Sequence, residues 1–279
     1  MKSVIVVGGL NLDVCGMPDR ALVPHDSNIG TVVLRAGGVG HNIAARLAEK
    51  GVPVELVAAL GDDGAAGMLS ARCAEEKIGL RYALRLHGAS CCYLSLHEAD
   101  GDMAAAVNAM KLMDAFTPDR LPMDAINASS LCVLDTNLPA ETLERLAACA
   151  TVPLLADPVS CAKADRARAV LPRLTAIKPN LMEARYLSGE TEPARAAAWL
   201  LSQGTKMAFI SLGREGVYFA GPDDAGVVPA PQTTVHNATG AGDAMAAGIA
   251  LGLLDGLSAR GCAESGVRSA AQYLKETNK

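Results

Sequence analysis

Five residues near the C-terminal end, Thr239-Gly240-Ala241-Gly242-Asp243, have the types and spacing to hold an anion and move a proton. They follow an extended segment, residues 226–236, and open an apolar run, 244–254, that contains no charge. That order predicts a strand, a tight glycine-rich turn and a buried helix. The N–H groups of a helix start lack intrahelical acceptors, and the helix dipole adds partial positive charge. Gly240, Ala241 and Gly242 would thus form a nest suited to a phosphate. A carboxylate beside a phosphate is otherwise unfavourable. Asp243 makes sense there as the acceptor of a proton from an attacking hydroxyl. The pentapeptide alone also suits an ordinary helix N-terminus, with Asp243 favouring the dipole.

Other polar groups recur where apolar strands end. Residues 3–7, Ser-Val-Ile-Val-Val, form a buried strand followed by Gly8-Gly9-Leu10-Asn11-Leu12-Asp13. Ligands of α/β sheets bind at such strand ends. Asn11 and Asp13 alternate to one side, so both could meet sugar hydroxyls, or simply close a solvated turn. Ala36-Gly37-Gly38-Val39-Gly40-His41-Asn42 leads into a helix that ends near residue 48, and Asn42 offers both donor and acceptor. The spacing is not that of a dinucleotide-binding fingerprint.

Residues 14–35 break the α/β rhythm and read as a β excursion. A second one follows, with extended segments 91–97 and 102–108 joined by Glu98-Ala99-Asp100-Gly101. Together, about 14–35 and 88–108 would build a small lid sheet over the strand ends. Its edge would invite pairing with a second copy of the chain. Tyr93 and Asn108 lie on this lid, placed either to touch a base or to pack.

Between and after these come further strands and helices. Residues 52–60 read as one strand and 65–77 as a helix. From residue 131 the pattern is plainly βα: strands at 131–134, 152–156, 174–177 and 207–211, helices at 141–148 and 162–170. Asp135-Thr136-Asn137, Asp157-Pro158-Val159-Ser160 and Lys178-Pro179-Asn180 sit at strand ends. Asn180 and Glu183 share a helix face. That suits either a hydrated Mg²⁺, which takes few protein oxygens, or a capping box.

Half of the 279 residues are hydrophobic, enough for one large domain with an aliphatic core. The net charge of −5, without a basic stripe, argues against a nucleic-acid polymer as partner. The eight cysteines form no CxxC pair and read as reduced thiols. No apolar run reaches transmembrane length and no signal peptide precedes the first strand, so no membrane association and a cytoplasmic location are expected.

Residues 8–13, 37–42, 61–64, 180–183, 211–213 and 239–243, in that order, resemble the ribokinase-like (PfkB) family of sugar and nucleoside kinases. The resemblance spans nearly the whole chain and implies one three-layer α/β/α domain over 1–279, with a mostly parallel sheet and a β lid. Finer features look like its pseudouridine kinase branch: Asp26-Ser27-Asn28, Gly38-Val39-Gly40-x-Asn42, Cys91-Cys92-Tyr93-Leu94-Ser95-Leu96, Asn108-x-Met110, Asp157-Pro158-Val159-Ser160-x-x-Lys163 and Asn237-x-Thr239-Gly240.

By that resemblance, ATP would phosphorylate a ribose 5′-hydroxyl, with Asp243 as base and Gly240, Ala241 and Gly242 as anion hole. Asn11, Asp13, Gly38 and Asn42 would hold ribose, and Tyr93 and Asn108 the base. Lys163 would lie between substrate and phosphate. Asn180, Ser211, Gly213 and Thr239 would line the nucleotide, and Asn180 with Glu183 would serve Mg²⁺ through water.

The chain departs from the family in three places. His41 stands where the branch usually has Arg. Asn237 and Ala238 stand where relatives place oxygens around a monovalent cation, leaving potassium activation open. The sequence stops before the tail that in many relatives helps cover adenine, which leaves nucleotide affinity and purine selectivity open. Two other readings stay open: a kinase for another nucleoside or sugar, and a non-catalytic ligand-binding protein on the same fold.

Overall fold

The computed structural model describes residues 2–232 and 238–277. His236 and Asn237 lie outside the described residues. The elements run β1 (Val4–Val7), β2 (Asn11–Pro18), β3 (Gly30–Gly37), α1 (Val39–Glu49), β4 (Val54–Val57), β5 (Ala59–Leu60), α2 (Gly64–Glu75), β6 (Ile78–Gly79), β7 (Leu84–Arg85), β8 (Cys92–His97), β9 (Met103–Ala109) and α3 (Met123–Ala128). There follow β10 (Leu131–Asp135), α4 (Ala140–Cys149), β11 (Leu154–Asp157), α5 (Cys161–Ala164), β12 (Ala176–Ile177), α6 (Leu181–Ser188), α7 (Pro193–Ser202), β13 (Met207–Ser211), β14 (Val217–Ala220), β15 (Ala225–Val228), α8 (Ala241–Leu254) and α9 (Ala259–Thr277).

Among the described residues, nine strands form one sheet in the order β15-β14-β13-β12-β11-β10-β1-β4-β6. The pairs from β6 to β13 are parallel, and β14 and β15 add an antiparallel edge. Strand alternation divides the core into two layers. Val4 and Val6 pack with Ile43, Leu47 and Ile249 of α1 and α8, whereas Ile5 and Val7 pack with Leu143, Leu146 and Leu200 of α4 and α7. Helices therefore cover both faces, giving the expected three-layer α/β/α arrangement. Helix α8, built of small and apolar residues, is mostly buried and packs on α9 and α1.

A second, four-stranded sheet has the order β3-β2-β8-β9. Its first strand starts at Asn11, so Asn11 and Asp13 lie in a strand rather than in a turn. The expected single strand over 52–60 is broken. Partner β1 ends opposite Val57, and the chain then leaves the main sheet to pair as β5 with β7. The expected helix over 162–170 is one α turn followed by a 3-10 stretch over Asp165–Arg173. Pro172 there lacks a donor and disfavours the α conformation in the residue before it. No helix among the described residues is long and apolar enough to cross a membrane.

Candidate active site

Strands β1, β10, β11, β12 and β13 are parallel, so their C-terminal tips share one edge of the sheet. Asp135, at the tip of β10, ties that edge together. Its Oδ2 accepts from the Gly9 N–H at 2.7 Å and the Gly40 N–H at 3.0 Å, and its Oδ1 accepts from the Asn137 N–H at 2.9 Å. The turn after β1 and the start of α1 are thereby held against one carboxylate. Burial raises the Asp135 carboxyl, with the Gly9 and Asn137 hydrogen bonds acting the other way.

Next to it, Asn11 Nδ2 donates to Asp13 Oδ1 at 2.5 Å. Burial pushes the Asp13 carboxyl up, while Asn11, His41 and Arg35 pull it down. Gly38 caps α1 with φ 99°, and a Cβ there would lie 2.5 Å from the Gly9 carbonyl oxygen. Only glycine suits that close approach.

The first turn of α8 sits at the same edge. Gly240 is its N-cap in the left-handed region, and the Ala241 N–H closes a turn onto the Ala238 carbonyl. The N–H groups of Gly242 and Asp243 follow as first-turn donors without intrahelical acceptors. Asn42 Nδ2 donates to Asp243 Oδ2 at 2.7 Å, which joins α1 to α8. Burial first, and the charge of Asp157 second, push the Asp243 carboxyl up to about 7, against the Asn42 hydrogen bond and the Lys178 charge.

Lys178, at the end of β12, is buried beneath this turn. Its Nζ lies 2.9 Å from Asp157 Oδ2, an ion pair rather than an aligned hydrogen bond, and 3.3 Å from the Gly242 carbonyl oxygen. A Cβ on Gly242 would come within 3.1 Å of that ammonium. Burial opposes the Lys178 charge, yet Asp157, Asp243 and Glu183 hold its ammonium above the usual lysine value.

Lys163 reaches the site indirectly. Val159 has φ 65°, and the Ser160 N–H bonds the Pro158 carbonyl across it, a strained turn for a β-branched residue. That turn starts α5, from which Lys163 Nζ donates to Asn137 Oδ1 at 2.5 Å. In the second sheet, Asp13 lies opposite Arg35 on β3 and Tyr93 on β8, and Tyr93 lies opposite Asn108 on β9. Those four share one face. Tyr93 Oη donates to Met103 Sδ at 3.4 Å.

On the far side, Asn180 and Glu183 form a full capping box at the start of α6. Asn180 Oδ1 accepts from the Glu183 N–H at 2.9 Å, and Glu183 Oε2 accepts from the Asn180 N–H at 2.8 Å. Both caps are thus in use, and burial raises the Glu183 carboxyl. Asn180 bridges to Ser211 at the tip of β13, and Gly213, with φ 62°, opens the next turn. The Thr239 carbonyl accepts from Tyr273 Oη at 3.0 Å. Among the described residues, no group of three His, Cys, Asp or Glu side chains could hold a metal ion.

Asp135, Lys178 and Arg35 carry no assigned role in the sequence reading. Each had a signal: a polar residue closing a buried strand for the first two, and alternation with Asp13 across a hairpin for the third.

The chain is similar over 264 residues to the pseudouridine kinase of Escherichia coli (strain K12), at 35% identity and covering 91% of this chain and 84% of that one. It is 31% identical over 183 residues to a pseudouridine kinase of Arabidopsis thaliana, covering 63% of this chain and 48% of that protein. Among solved structures, a carbohydrate kinase from Agrobacterium tumefaciens superposes with a TM-score of 0.86 at 30% identity, covering 97% of this chain and 90% of that one. The family model for the pfkB family of carbohydrate kinases matches residues 1–278. With these matches spanning the fold and the strand-tip site alike, the chain belongs to the pfkB carbohydrate kinase family, phosphotransferases that act on hydroxyl groups.

Proposed function

We propose that this chain transfers the terminal phosphoryl group of ATP to the ribose 5′-hydroxyl of pseudouridine. The observation that carries the reading is Asp243, a half-buried carboxylate in the first turn of α8, oriented by Asn42 and raised to about 7. A base poised near neutral pH can take the hydroxyl proton as the oxygen attacks phosphorus, and hand it to solvent afterwards. The first-turn N–H groups beside it and the Lys178 ammonium beneath receive the charge that builds on the moving group. Asn11, Asp13, Gly38 and Asn42 hold the ribose, and Tyr93 and Asn108 line the lid face toward the base.

Lys163 orients Asn137 between those sites. Ser211, Gly213, Asn180 and Thr239 border the nucleotide. Mg²⁺ accompanies the phosphates and shields their charge. With the Glu183 carboxylate already engaged as a cap, Asn180 and Glu183 meet the ion through its waters. Free thiols at all eight cysteines fit a reducing, cytoplasmic setting.

The lid supports a homodimer. Its face opposite Asp13 carries Val32, Leu34, Leu94, Leu96 and Val107, all exposed. An unburied apolar sheet face of this extent suits a second copy of the same surface.

An ATP-consumption screen with pseudouridine, uridine, adenosine, ribose and fructose tests the assignment. Turnover highest with pseudouridine supports it. Turnover confined to adenosine or a free sugar moves the chain to another substrate in the family. Tight ligand binding without turnover makes it a binding protein.

A further inference from the structure

The imidazole of His41 has no part in the transfer proposed above, yet a continuous polar chain links it to the base. His41 lies on α1 and is 4% exposed. Its Nε2 is 2.8 Å from Glu76 Oε2, and its Nδ1 is 3.2 Å from Asn42 Oδ1. Asn42 Nδ2 in turn donates to Asp243. An amide donates only through nitrogen and accepts only through oxygen. With Nδ2 committed to Asp243, the Asn42 oxygen facing His41 must accept. Glu76 accepts as well, and its other oxygen is 2.7 Å from Arg72. Burial would raise the Glu76 carboxyl, but the His41 hydrogen bond and charge, with Arg72, bring it below the ordinary range, so it is ionised. The His41 Nδ1 that faces the Asn42 oxygen therefore donates to it, because a bare ring nitrogen there would set one lone pair against another inside the protein.

We propose that His41 is a positioning residue: held by Glu76 on one ring nitrogen, it bonds the Asn42 oxygen through the other and so keeps the Asn42 nitrogen turned toward Asp243. Without the imidazole, the Asn42 amide is free to turn over and present its carbonyl to Asp243. A carbonyl beside Asp243 favours the protonated acid, which cannot serve as base. This inference rests on the reading of Asp243 as base.

Charged and titratable groups border the cleft that His41 lines. Helix α2 and its C-cap supply Arg72, Glu75 and Glu76, and the lid supplies Asp13 and Arg35. Arg46 comes from α1 itself, Asp243 from α8 by way of Asn42, and Tyr273 from α9. His41 and Asn42 both line a cleft of about 620 Å³ bordered by β2, β3, α1 and α2.

The test compares kcat against pH for the native chain, His41→Arg and His41→Leu. Arginine keeps a charge and donors at every accessible pH. The acid limb of the native profile is expected to move to higher pH in His41→Leu, which runs roughly tenfold slower at the native optimum, and to return toward its native position in His41→Arg. An acid limb in His41→Leu unmoved from the native one overturns the proposal. An independent measurement needs neither variant nor turnover. Imidazole ¹⁵N resonances of the native chain should show a proton on His41 Nδ1, and a bare Nδ1 overturns the proposal. If no nucleoside or sugar is phosphorylated, the assigned activity fails, while the nitrogen resonances still decide the state of His41.

Discussion

The Asp243 carboxyl ties activity and stability together with opposite signs. A base works deprotonated, so kcat should climb as pH rises through about 7. Between the ordinary carboxylate range and about 7, the folded chain holds a proton that the unfolded chain has released, so stability falls as pH rises across that window. Asp243→Asn should therefore lower turnover by at least about a hundredfold and raise Tm above pH 7. A variant Tm no higher than the native one would refute the linkage, and near-native turnover would remove Asp243 as base. Lys178 carries the complementary prediction. Lys178→Met leaves Asp157 buried without its ion pair, a loss of about 3–5 kcal/mol that denaturant unfolding would register. Because the Lys178 charge draws the Asp243 carboxyl down, the same variant should move the acid limb of kcat to higher pH. An unmoved limb would show that Lys178 does not act on the base.

At the level of elements, the start of α6 separates two jobs that the sequence left equal. The Asn180–Glu183 capping box predicts that Asn180→Ala costs about 1 kcal/mol in urea unfolding. If Glu183 also meets magnesium through water, Glu183→Gln should raise the Mg²⁺ concentration for half-maximal turnover more than it lowers stability. An unchanged Mg²⁺ dependence would leave the capping box as its whole role. The strands that shape the site were legible because buried parallel strands are continuous apolar runs, as in Val4–Val7 and Leu131–Asp135. The break after Val57 was not, since the apolar run continues through it and only the end of β1 decides where pairing stops. Helical apolar spacing supports the helix expected over 162–170, and Pro172 is the sequence signal for the 3-10 stretch over Asp165–Arg173.

For the whole molecule, the lid makes the strongest prediction. Its outer apolar face includes Val32, 68% exposed, and Val107, 64% exposed. Leu94→Asp with Val107→Asp should convert a dimer to a monomer in sedimentation velocity and reduce kcat/KM, since the lid carries Asp13, Tyr93 and Asn108. A native chain that sediments as a monomer would dispose of the pairing.

The sequence by itself determined the βα rhythm, the glycines where backbone must come close to backbone, and the acid at the head of an uncharged helix. Those are local matters of side-chain period and backbone freedom. The tertiary structure decided which polar residues meet. Asp135 reaches Gly9 and Gly40, Lys178 reaches Asp157 and Gly242, and His41 joins Glu76 to Asn42, all through contacts between strand tips and helix starts far apart in the chain. No spacing rule encodes such meetings, because they arise only when the sheet order sets those tips side by side.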